Sequence, residues 1–63
     1  MNAQIIKITE ETIPWDEVIA IDGLGQALVG FIDEVVDGYQ CESDETSLEN
    51  VTHFMYIPKI KQY

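Results

Sequence analysis

The sequence predicts a mainly β fold, a small antiparallel sheet of four to five strands, and three observations predict it. Short runs rich in Ile, Val and aromatic residues recur along the chain, the composition of half-buried strands. Asp22-Gly23-Leu24-Gly25 and Asp37-Gly38 place turn formers between those runs. Pro14 and Pro58 interrupt them, each removing a backbone donor. At 63 residues the chain reads as one domain, 1–63. A fold of this size buries only about 60% of the surface its unfolded chain exposes. Mass scaling gives roughly 4,100 Å² of accessible surface and a diameter of about 27 Å.

Taken in order, residues 3–8 carry Ile5, Ile6 and Ile8 and form a first strand. Residues 9–15 break it with Glu10, Glu11 and Ile13-Pro14, where the proline pushes Ile13 towards an extended conformation. Trp15, the single tryptophan, is expected to anchor the core, because no side chain buries more apolar area. Residues 17–22 alternate as a strand and end at Asp22-Gly23-Leu24-Gly25, whose two glycines are placed to accept positive φ. Residues 26–33 return as the second arm of a hairpin. An α+β alternative competes here: Leu24, Ala27, Leu28, Phe31, Ile32 and Val35 also fit one face of a helix at 24–36. Gly25 and Gly30 would each cost that helix about 1 kcal/mol relative to Ala, so the hairpin is preferred. Residues 39–41 follow the Asp37-Gly38 turn as a short strand, residues 42–50 form a polar exposed loop, and residues 51–57 form the last strand, stopped by Pro58.

Charge is the feature that bears on function. Asp and Glu number 12 against 3 Lys and Arg, for a net charge of -9. Every carboxylate side chain lies between Ile8 and Pro58, while Lys7, Lys59 and Lys61 lie outside that stretch. Ordinary surfaces intersperse both signs. Three cations cannot neutralise a phosphate backbone, so direct nucleic-acid binding is not expected. The normal aliphatic and aromatic content argues for a folded chain over charge-driven disorder. No apolar run approaches the roughly 20 residues that span a bilayer, and a lone Cys41 permits no internal disulfide. A cytoplasmic monomer without membrane association is therefore expected.

The closing Val51-Thr52-His53-Phe54-Met55-Tyr56-Ile57-Pro58 resembles the terminal Val-Thr-His-Trp-Met-x-Leu-Pro signature of a short domain-of-unknown-function family of phage and bacterial genomes. In that family the signature follows a hairpin comparable to residues 17–33 and a Gly-aromatic pair comparable to Gly38-Tyr39; Phe54 stands where the family has Trp. The resemblance implies a small, mainly β fold and a phage or mobile-element origin, with no activity attached. In size and acidity the chain is also similar to phage anti-CRISPR and anti-restriction proteins, several of which imitate DNA; among them the type I-C inhibitors are the expected kin.

Candidate chemistry is thin. His53 is the single histidine, yet its alternating neighbours suit a structural hydrogen bond better than acid–base catalysis. Cys41 reads as a small buried hydrophobe, since acidic surroundings disfavour the thiolate. Asp33, Asp37, Gly38 and Asp44 occupy the first, fifth, sixth and twelfth places of a calcium loop, but Val35 and Cys41 stand at two ligand positions. No enzyme, metal site or cofactor is expected. What remains is the carboxylates as a field: Asp33, Glu34, Asp37, Glu42, Asp44, Glu45 and Glu49, with Glu10, Glu11, Asp16 and Glu17 as a second patch. Beyond solubility, such crowding is relieved by a basic partner. The leading expectation is an anti-CRISPR-type inhibitor, an acidic DNA mimic that blocks the Arg/Lys-lined DNA groove of a host defence complex. The alternative is a phage protein–protein interaction module whose apolar contact surface includes Trp15, Phe31 or Tyr56.

Overall fold

The chain forms β1 (Ile6–Lys7), β2 (Val18–Asp22), β3 (Ala27–Val35), β4 (Gly38–Glu42), β5 (Ser47–Leu48) and β6 (Val51–Tyr56). In the computed structural model, which describes residues 4–58, these strands make one antiparallel sheet in the order β1-β6-β2-β3-β4-β5. The mainly β expectation holds with six strands, because two-residue strands cap both edges. One of them, β5, lies inside the segment read as a loop: Leu48 pairs with Cys41 and packs on the core. The helix alternative at 24–36 is overturned, since residues 27–35 are a single strand. Strand pairing satisfies every residue of that run and spares both glycines the cost a helix would impose.

β3 changes partner midway. Ala27 to Gly30 pair with β2, and Phe31 to Val35 pair with β4. β4 and β6 come into contact although two strands separate them in the sheet, so the sheet curls. Inside the curl lies a core of Ile8, Val18, Ala20, Ile32, Cys41, Val51 and Phe54, with Ile6, Ile13, Leu28, Tyr39 and Leu48 packed against it. Alternation explains the choice: Val18, Ala20 and Asp22 point inward from β2 while Ile19 and Ile21 point away. Ile19 sits in one cross-strand row with Val29 and Met55 on the other face.

Turns fix the register. Asp22 is buried, and its Oδ1 accepts from the backbone N–H of Leu24 at 2.9 Å and of Gln26 at 2.8 Å. Gly25 takes φ of 86°; Gly23, also expected in the positive-φ region, does not. The β3–β4 turn is a two-residue loop of Val36 and Asp37 closed by Gly38. Asn50 adopts φ of 58° at the entry to β6, a conformation asparagine tolerates better than most residues.

The overall form is elongated, 43 × 25 × 22 Å, and its accessible surface of 5172 Å² exceeds the mass-scaling expectation. Trp15, Leu24, Phe31, Val36 and Tyr56 are all exposed. Trp15 is 96% exposed, which corrects its expected role as the core anchor. Phe54 of β6 is instead the largest fully buried side chain, and Pro14, buried next to Trp15, holds the connection against the fold while the indole points away.

Candidate acidic interface

Strand pairing decides which carboxylates share a surface. Phe31 lies opposite Glu42 and Asp33 opposite Gln40, so Asp33 and Glu42 are diagonal neighbours on the face away from the core. Gln40 Nε2 donates to Glu42 Oε1 at 2.6 Å, setting that carboxylate along the strand. Beyond Glu42, Ser43 closes the turn to β5: its N–H donates to the Thr46 carbonyl at 2.9 Å and its hydroxyl to the same oxygen at 3.2 Å. Asp44 and Glu45 stand at the tip of that turn. Glu17 precedes Val18, which pairs with Gly30, and so reaches the same place from β2. The result is a shallow hollow lined by Glu17, Asp33, Glu42, Asp44 and Glu45 around the exposed ring of Phe31.

A second hollow adjoins it and shares Phe31 and Asp33. Its acidic side is built by the turn after β1. There Thr9 N–H donates to Thr12 Oγ1 at 2.7 Å, Thr12 N–H to the Thr9 carbonyl at 3.1 Å, and Thr12 Oγ1 to the Lys7 carbonyl at 2.9 Å. This hydroxyl-locked turn presents Glu10 and Glu11 beside Trp15, and Glu34 also lines the hollow. Trp15 also borders a third hollow with Asp16 and Tyr56.

The two expected patches are therefore regrouped. Glu17, assigned to the second, joins Asp33, Glu42, Asp44 and Glu45 of the first; Glu34, assigned to the first, joins Glu10 and Glu11. Asp16 lies with Tyr56. Asp37 and Glu49 line a separate hollow with Val35 and Tyr39. Sequence proximity misplaced these residues because the β3–β4 turn carries Asp37 to the far end of the hairpin from Glu42. Phe31, read from the sequence as a strand or helix-face residue, and Trp15, read as a core anchor, were linked to binding only in the apolar alternative, and they are the side chains around which the acids gather.

Cys41 is fully buried on β4, and its Sγ approaches the Leu28 carbonyl at 3.6 Å. Burial pushes its thiol above the ordinary value, and the charges of Glu17 and Glu42 push it further. His53 sits on β6 between Lys7 and Ile21, with Nδ1 2.8 Å from Thr52 Oγ1. The calcium-loop residues separate: Asp33 is in β3, Asp37 in the β3–β4 turn and Asp44 in the β4–β5 turn. Among the described residues no group of three or more His, Cys, Asp or Glu is placed to hold a metal ion. No helix among them is long and apolar enough to cross a membrane.

Lys7, the one Lys or Arg among the described residues, lies on β1, three strands from β3 in the sheet order, and lines neither acidic hollow. Lys59 and Lys61 lie outside the described residues. No protein-family model, curated protein or solved structure matches the chain.

Proposed function

We propose that this chain is a non-enzymatic inhibitor that docks its acidic face in the Arg/Lys-lined DNA groove of a bacterial defence complex, acting as a DNA mimic of the anti-CRISPR kind. The observation that carries the reading is the convergence of Glu17, Asp33, Glu42, Asp44 and Glu45 on one hollow whose lining, among the described residues, holds no Lys or Arg. Like charges gathered this way repel one another, and a basic surface relieves that repulsion while opposite fields speed encounter. The direct experiment is competition for a purified type I-C effector complex. The wild-type chain should displace labelled target DNA, and D33N/E42Q/D44N/E45Q should not. DNA binding unaffected by the wild-type chain would remove that complex as the target.

A second reading, an interaction module with an apolar contact surface, is favoured by the exposure of Trp15, Phe31 and Tyr56 and by Trp15 bordering hollows shared with each of the other two. Salt separates the two readings. A charge mechanism weakens sharply between about 50 and about 200 mM salt as the Debye length falls below roughly 14 Å, whereas apolar docking does not.

A further inference from the structure

Trp15 stands almost wholly in water at 96% exposure, although an indole offers more apolar burial than any other side chain. Its position is defined by its neighbours. The locked Thr9–Thr12 turn precedes it by three residues, and the residue immediately before it, Pro14, is buried. With Phe31 it lines an open hollow of about 420 Å³ that Glu10, Glu11, Asp33 and Glu34 also line. Two aromatic side chains and four carboxylates, with no Lys or Arg in the lining among the described residues, define the chemistry of an occupant: flat, apolar on its faces, cationic and rich in donors at its edge.

We propose that this hollow receives an arginine side chain of the basic partner, its guanidinium stacked against Trp15 and Phe31 and its N–H groups donating to the lining carboxylates. This rests on the proposed function and names the partner residue that the acidic face selects. Arginine fits better than lysine on three counts. Its planar fork matches carboxylates bidentately, it stacks on aromatic rings, and it is more weakly hydrated than an ammonium. Lysine keeps a tightly hydrated point charge that gains less from a ring face. An uncharged apolar occupant would leave the carboxylates to be desolvated without a partner, and an anionic one would be repelled.

Calorimetric titration of the full chain with octa-arginine and octa-lysine peptides, at about 50 and about 200 mM salt, tests the assignment. Octa-arginine should bind roughly 2- to 5-fold more tightly, the factor corresponding to an exposed cation–π contact, and the emission of Trp15 should change on binding it. Trp15→Leu and Phe31→Ala should each reduce the preference towards unity while retaining salt-sensitive binding of both peptides. Phe31→Ala supplies the second readout should Trp15→Leu perturb the fold by circular dichroism. Equal affinity for the two peptides, or a preference unchanged in both variants, overturns the arginine assignment and leaves the acidic face standing. If neither peptide binds at the lower salt, both readings fall.

Discussion

Gly30 and Cys41 approach so closely that a methyl group on the glycine would lie 2.9 Å from Cys41 Sγ, and it would also collide with the backbone carbonyl of Glu42. This is where β3 passes from β2 to β4. Val18 pairs with Gly30, and Phe31, next along, pairs with Glu42. The same crossing brings Glu17, next to Val18, towards Glu42, and both carboxylates act on the Cys41 thiol. The contact that shapes the core thus also assembles the acidic hollow.

Gly30→Ala should therefore destabilise the fold by about 2 kcal/mol or more, because the obstructing Glu42 carbonyl is backbone and cannot rotate aside. Gly23→Ala is the matched control: nothing lies within 4 Å of its added carbon, and its φ is not positive. That change should be neutral or stabilise by up to about 1 kcal/mol. Urea midpoints of the two variants check the contrast.

Asp22→Ala should cost about 1 to 3 kcal/mol, since it strips the acceptor from the N–H groups of Leu24 and Gln26 at a buried position. Asp22→Asn keeps a carbonyl oxygen in that place and should lose less. Chemical denaturation of both measures the share due to the hydrogen bonds.

Cys41 should react with an aromatic disulfide reagent only as fast as the chain opens, because its thiol is buried and raised. The pH dependence has a definite sign. The folded thiol holds its proton above the unfolded value of about 8.5, so its contribution is complete below that pH. It is lost as pH rises towards the folded value, where the unfolded state binds fewer protons. Cys41→Ala should lack this component, leaving a shallower fall in stability at alkaline pH.

The hairpin of β2 and β3, the last strand and the buried cysteine were legible in the sequence, because alternation and turn glycines report local geometry directly. Trp15 was not. The rule that large aromatics are buried says nothing about the connection that carries one, and here Pro14 and Ile13 occupy the covered positions. Nor was the regrouping of acids legible. Glu17 and Glu42 are far apart in sequence and meet because β3 hands its pairing from one neighbour to the other, a tertiary event that Gly30 permits but does not announce. The two-residue β5 escaped notice because one apolar residue, Leu48, pins it.

Crowded carboxylates also predict an unusual response to salt. Raising sodium chloride from about 10 to about 150 mM shortens the Debye length from roughly 30 to 8 Å. The wild-type urea midpoint should rise over that range. D33N/E42Q/D44N/E45Q should start higher and rise less, and a midpoint falling with salt in the wild type would indicate net attraction in place of repulsion.

The most direct measurement is retention of bacterial lysate proteins on the immobilised chain, with elution by duplex DNA. At about 50 mM salt the wild-type chain should hold a nucleic-acid-binding protein that excess duplex releases, that about 200 mM salt also releases, and that D33N/E42Q/D44N/E45Q does not hold. Retention of the same protein by that variant, undisturbed by DNA and by salt, would contradict an acidic face made to occupy a basic groove.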